Sequence, residues 1–244
     1  MTERSAAGRL YDRVFRWVCG GETPYPWHFQ WLAVVDLRRD LRRILPTLTG
    51  RLLDVGCGEK PYARWLTQAR EHVGLDVYSG PNVDVVTTPY QAWPLASESF
   101  DAILCTQVLE HVTDFEHVLH EIRRVAKPGA LLVVSVPFAY NEHGAPHDYR
   151  RFSASGLHLL FQSDYELLET SRQGGIASTT AVLALNWWDT IMDRWPATRF
   201  AKAVTLPVWV IVCGLVNAVG FMLDKLDRTG AFYGNVLLVA RKTR

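Results

Sequence analysis

The amino-acid sequence predicts an α/β protein built on a parallel sheet covered by helices, and three observations predict it. Strand-like runs alternate with helical ones from residue 51 onward, as parallel strands joined by crossovers require. The apolar strand "RLLDV" runs straight into a glycine turn, Asp54-x-Gly56-x-Gly58, of the kind that brings backbone close to a ligand at a strand's carboxyl end. And 244 residues with 48% hydrophobic and 21% charged side chains suffice for one good core.

The elements follow in order. Residues 1–50 read as helical: apolar residues return every three or four positions in "WLAVVDLRRDLRRILPTL", with the aromatic "YPWHFQW" before it. This segment is a candidate lid. Next come "RLLDV" (strand), "PYARWLTQA" (helix, beginning near Pro61), "HVGLDV", "VDVVT" and "FDAILCT" (strands), "FEHVLHEIRRVA" (helix) and "ALLVVSVP" (strand). Pro128 and Gly129 in "KPGA" stop the long helix, and Ser153 caps a short one reaching Gln162. "YELLETSR" and "YGNVLLVARK" supply the last two strands. The expected divisions are a lid at 1–50, a ligand-binding core at 51–172, an apolar helical insert at 173–230 and a final core strand at 231–244.

Composition narrows the function. A formal net charge of +1 speaks against a nucleic-acid partner. Cys19, Cys57, Cys105 and Cys213 show no CxxC spacing, so neither a structural zinc site nor a disulfide framework is expected. "MTERSAAGRLYDRVF" carries charges throughout and has no apolar centre, so the expected location is cytoplasmic. After the glycine turn, Asp76 in "VGLDV" arrives about 20 residues on, where a carboxylate takes both ribose hydroxyls. A nicotinamide-type turn needs a third glycine, and "GCGEKP" has Lys60-Pro61 instead.

Through "LLDVGCG", "LDV", "WPLASESFDAILCTQVLEHV" and "HEIRRVAKPGALLVVSVP", the chain resembles the class I S-adenosylmethionine-dependent methyltransferases of the type-11-like kind. The likeness covers about residues 50–172 and the final strand. It implies a Rossmann-like, seven-stranded, mostly parallel sheet with helices on both faces and an antiparallel last strand. It implies S-adenosylmethionine as cofactor, with Asp54, Gly56, Cys57 and Gly58 near the methionine part, Asp76 and Val77 at the ribose, and Gln107 lining the site. Family members often carry an acid beside the adenine before the segment matching "WPL", where this chain reads "VTTPYQAWPL".

The stretch "NEHGAPHDYRRF" follows the carboxyl end of the fifth strand and so is expected to face the methyl acceptor. His147 or His143 would act as general base, with Asp148 orienting the imidazole; a loop fixed by Asp148 and an arginine is the structural alternative. Tyr149, Arg150 and Arg151 are candidate acceptor contacts, since a guanidinium grips phosphate or carboxylate in bidentate fashion. Gly144 and Pro146 exclude a helical metal pair of His143 and His147, and no metal is expected. The stretch is similar to one in bacterial methyltransferases of glycan and lipid biosynthesis, which implies sugar or lipid-linked acceptors. Glu110 and His111 in "LEHV" are similar to a pair that in ubiquinone-type O-methyltransferases helps hold a cation or the acceptor, which makes His111 a further acceptor contact.

Gln173–Trp188 and Ala203–Leu223 are free of charge, and the second is long enough to cross a bilayer. A single crossing would separate "YGNVLLVARK" from its sheet. A monotopic hairpin within 174–223, with Trp187, Trp188, Trp195 and Trp209 at the interface, avoids that; an apolar pair buried in the core or in a homodimer is the other reading. The expected function is O-methylation of a sugar or lipid-linked acceptor at the cytoplasmic membrane face. N- or C-methylation of a soluble metabolite, and a scaffold protein without chemistry, are the alternatives.

Overall fold

The computed structural model describes residues 6–21 and 24–244. Its strands are β1 (Gly50–Val55), β2 (Ala69–Asp76), β3 (Val85–Val86), β4 (Phe100–Thr106), β5 (Ala126–Pro137), β6 (Tyr165–Gln173) and β7 (Asn235–Lys242). Its α-helices are α1 (Ala6–Cys19), α2 (Trp31–Ile44), α3 (Phe115–Val125), α4 (Ala154–Phe161), α5 (Ile176–Met192), α6 (Pro196–Val204) and α7 (Leu206–Asp224). The chain divides into two compact units, one of Leu37–Gln173 with Asn235–Arg244 and one of the residues up to Asp36 with Gly174–Gly234.

The larger unit carries the sheet, in the order β3-β2-β1-β4-β5-β7-β6. β7 runs antiparallel to both β5 and β6, and the other pairings are parallel. This is the Rossmann-like, seven-stranded sheet expected. It needs apolar cover on both faces, and Leu52, Leu53, Ile103, Leu104, Leu132 and Val134 are fully buried. α3 starts where Asp114 accepts a hydrogen bond from His117 N–H at 3.1 Å.

Two expectations are corrected here. Residues 37–50, expected with the lid, belong to the core: Leu37, Leu41, Ile44, Leu45 and Leu48 join the buried cluster that includes Leu52, Leu104 and Val133. Leu37, Leu41 and Ile44 recur at i, i+4 and i+7, so one stripe of α2 covers the sheet. The helix expected over "PYARWLTQA" is a single 3-10 turn, Ala63–Trp65, held by bonds such as Trp65 N–H to Tyr62 O at 2.9 Å. Lys60 takes a positive φ of 50° just before Pro61, breaking the helical path, and Trp65 is buried under the guanidiniums of Arg38, Arg42 and Arg64 at 5.1 to 5.3 Å.

The smaller unit is helical. Asp224, at the end of α7, accepts from the N–H groups of Gly175, Ala177 and Ser178 at 2.9 to 3.1 Å and from the Ser178 hydroxyl, supplying the α5 N-terminus with its missing acceptor. α7 turns Cys213, Asn217 and Gly220 inward, and Asn217 Nδ2 donates to the carbonyls of Pro26 and His28. Its opposite face is open: Val208, Ile211, Leu215 and Met222 are each more than 60% exposed. Among the described residues, α7 is the one helix long and apolar enough to cross a membrane.

Candidate functional site

Ligands of a doubly wound sheet bind beyond the carboxyl ends of the strands where strand order reverses, here between β1 and β4. Gly56 lies at φ 65° and Gly58 at φ 48°, conformations that favour glycine. A Cβ on Gly56 would stand 2.5 Å from Val108 Cγ2, whereas one on Gly58 would meet nothing within 4 Å. The first glycine therefore lets the segment after β4 close on the turn, and the second leaves open space beside the backbone. Gly58 and Tyr78 N–H donate to the two Asp76 carboxylate oxygens at 3.0 and 3.1 Å, fixing that acid at the end of β2 beside exposed Val77. An open glycine turn with a fixed carboxylate fits the adenosyl group of S-adenosylmethionine.

Two neighbours point inward instead. Asp54 is 3% exposed with Oδ2 3.0 Å from His72 Nε2; burial raises its carboxyl above the usual range against the opposing pull of His72. Cys57 is buried, and burial pushes its thiol up to about 11.

Past β4, Gln107 adopts a left-handed φ of 56°, costly for a residue with a side chain. Its N–H donates to Ser135 O at 2.9 Å, and its Nε2 donates to Ser135 Oγ and Asn235 Oδ1, each at 3.0 Å. Glu110 follows on a 3-10 turn, Leu109–His111, and is 0% exposed. No other described residue hydrogen-bonds its carboxylate oxygens, and burial pushes the carboxyl up to about 7.

The loop after β5 folds back onto this turn. Tyr149 N–H donates to Glu110 O at 2.8 Å, and His111 Nδ1 bonds the His147 carbonyl. A carbonyl only accepts, so His111 carries its proton on Nδ1. His143 Nδ1 lies 3.2 Å from Asp148 Oδ2 and 3.3 Å from Asn141 O, both acceptors, so its proton is on Nδ1 too. The two Nε2 atoms then face each other at 3.1 Å with a lone pair each. Two facing lone pairs repel unless a proton, a donor or a cation stands between them. Glu110, His111 and His143 place ligating atoms all within 4.8 Å of one another, a donor set able to hold a metal ion.

The other loop residues have different places. Asp148 takes both arms of Arg151 at 2.6 and 2.7 Å, and that pairing first of all holds its carboxyl well below the usual range. Arg150 donates to the carbonyls of Val112 and Thr113 and stacks on Phe115 at 4.6 Å. Both guanidiniums thus serve the loop, although the sequence offered them as acceptor contacts. His147 is exposed, with Nδ1 2.8 Å from the Tyr149 hydroxyl, and stands outside the Glu110 cluster. Sequence reasoning offered His143 and His147 as alternative bases; the fold sets His143 against His111, 32 positions earlier, and no spacing signal reveals that.

A methyltransferase-domain family model matches residues 53–134. A ubiquinone biosynthesis O-methyltransferase from Cereibacter sphaeroides is 35% identical over 117 residues, 41% of this chain and 46% of that protein, so the chain spans about half the length of that curated relative. One of the same name from Ruegeria pomeroyi is 34% identical over 201 residues, covering 70% of this chain and 79% of that protein. Among solved structures, the cyclase SpnF superposes with a TM-score of 0.57 at 22% identity, over 97% of this chain and 94% of its own; that likeness shows the fold.

Proposed function

We propose, for a chain that belongs to the class I S-adenosylmethionine-dependent methyltransferases, methyl transfer to a hydroxyl of a lipid or lipid-linked acceptor at the inner membrane face. S-adenosylmethionine, when bound, supplies an electrophilic methyl group. The chain must hold the acceptor oxygen in line with it and take the hydroxyl proton.

The observation that carries the reading is the pair of facing Nε2 lone pairs on His111 and His143. An acceptor hydroxyl seated beside the pair, within reach of both Nε2 atoms, has two bases for its one proton. His143 is the better placed, because the Asp148 carboxylate beside its Nδ1–H favours the imidazolium once formed. Asp148 fills the orienting role seen in the catalytic triads, held in turn by Arg151. Glu110, uncharged below about pH 7, adds a buried donor or acceptor to the same pocket.

Support for a membrane acceptor comes from the smaller unit. The outward stripe of α7, with Trp187, Trp188, Trp195 and Phe200 exposed on α5, the following turn and α6, is apolar surface of the kind that enters the headgroup boundary. The names of the similar proteins, ubiquinone biosynthesis O-methyltransferases, point the same way. The test is to incubate the protein with methyl-labelled S-adenosylmethionine and an extract of its host's membranes and cytosol. Label in the organic phase supports the reading; label confined to the aqueous phase makes the helical insert a core or homodimer element.

A second reading has its own observation. The Glu110, His111 and His143 donor set would bind a divalent cation, which would supply Lewis-acid polarisation of the hydroxyl in place of a base. Exhaustive chelation separates the two, since a base needs no cation.

A further inference from the structure

A chain of side-chain amides runs along the carboxyl end of the sheet, and its polarity is forced. Asp40, on α2 and 5% exposed, is a carboxylate: hydrogen bonds from Ser171 and Gln173 and the Arg39 guanidinium outweigh burial and keep it ionised. A carboxylate only accepts. Gln173 must therefore turn its Nε2 to Asp40, at 2.7 Å, which turns its Oε1 to Asn235. Asn235 must give its Nδ2 to that oxygen, at 2.7 Å, which turns its Oδ1 to Gln107. Gln107 must give its Nε2 to Asn235 Oδ1 at 3.0 Å, and its other amide hydrogen goes to Ser135 Oγ at 3.0 Å. Asn and Gln amides are otherwise ambiguous in orientation, but a single ionised end removes the ambiguity along the whole line.

One atom is left over. Gln107 Oε1 has both amide hydrogens of its own group committed elsewhere and no protein donor among the described residues. It sits at the end of β4, where strand order reverses. Its side chain is drawn toward β5 and β7, the half of the sheet that bears the His143 loop, and away from the β1–β2 half that bears the glycine turn and Asp76.

We infer that Asp40, Gln173 and Asn235 form a positioning relay that presents Gln107 Oε1 to the methyl acceptor as an obligate hydrogen-bond acceptor, selecting a substrate with an O–H or N–H donor beside the reacting oxygen. The inference rests on the methyl-transfer reading for its substrate but not for its relay. The left-handed backbone at Gln107 has the same explanation, since local strain persists where surrounding structure over-determines it. Asp40 is a positioning residue, separated from Gln107 by three hydrogen bonds; Gln107 is the contact.

Two measurements separate relay from substrate. In the full-length protein, the Gln107 side-chain amide protons should exchange slowly by NMR. Asp40→Asn, whose amide accepts or donates, should free the line to reverse and speed that exchange at least tenfold. Unchanged exchange would overturn the relay whatever the enzyme methylates. With the membrane extract as acceptor source, Asp40→Asn and Gln107→Leu should each slow labelling about tenfold, the loss of one neutral hydrogen bond. The double variant should be no slower than the worse single one, and the affinity for S-adenosylhomocysteine by calorimetry should be unchanged. Additive losses would show that the residues act separately. A several-fold loss of S-adenosylhomocysteine affinity in Gln107→Leu would assign Oε1 to the cofactor's ammonium instead. Absent labelling by the unsubstituted protein would sink the methyl-transfer reading and leave the exchange result standing.

Discussion

Two polar clusters flank the same strand end and are built on opposite terms. From Asp40 to Gln107 every amide nitrogen donates to the next group along and the line ends in a fixed charge. From Glu110 to His143 the groups are just as close, yet two carboxylate oxygens and two imidazole lone pairs go without. A satisfied network rigidifies, and an unsatisfied one is ready to take a proton, a cation or a ligand. The difference separates the residues that position from those that act.

The comparison can be broken most severely at His143. His143→Ala should slow methyl transfer by about 10² to 10⁴, the usual worth of a general base, with S-adenosylhomocysteine binding unchanged. Single-turnover labelling would measure it, and a loss below tenfold would move the base elsewhere.

Glu110 offers the next effect, in stability. Its carboxyl stands at about 7 in the folded chain against an ordinary 4.5, because burial disfavours the charge. The folded state therefore holds a proton that the unfolded state has released. That contribution is fully present below pH 4.5 and is lost as pH rises through about 7. Denaturant titrations should show stability falling by about 3 kcal/mol at most across that window, and Glu110→Gln should flatten the fall. A fall of the same size in the variant would clear Glu110 of the effect.

In the satisfied cluster, Asn235→Ala strands the Gln173 carbonyl and one Gln107 amide hydrogen in a buried setting. It should cost about 1–3 kcal/mol, read as a lower thermal midpoint. The smallest effect is expected on the outward face of α7, where Leu215→Asp should leave stability within about 0.5 kcal/mol while lowering retention on anionic phospholipid vesicles. A large destabilisation there would mean that a second chain or the core covers that face.

Much of the frame was legible. "FDAILCT" became β4 residue for residue, because a short apolar run between turn signals admits little else, and Ser153 caps α4 through Gly156 N–H as its position announced. "PYARWLTQA" was misread because its helical period competes with Pro61, a left-handed Lys60 and the burial of Trp65. The acceptor loop was recognisable from its histidines and its place after β5, whereas the work of Arg150 and Arg151 depends on carbonyls that only the folded loop brings near. Asp40 was invisible: in "DLRRDLRR" it reads as one more charge on a solvated face, and its partners lie 131 and 133 positions away.

The central claim is that this fold transfers a methyl group to an acceptor hydroxyl using His143. Its most direct measurement is methyl-labelled product formed from a membrane extract by the unsubstituted protein and by His143→Ala side by side. Organic-phase label that falls at least a hundredfold in the variant, with S-adenosylhomocysteine affinity equal in both, is the predicted result. Equal labelling by the two proteins, or none by either, would contradict it.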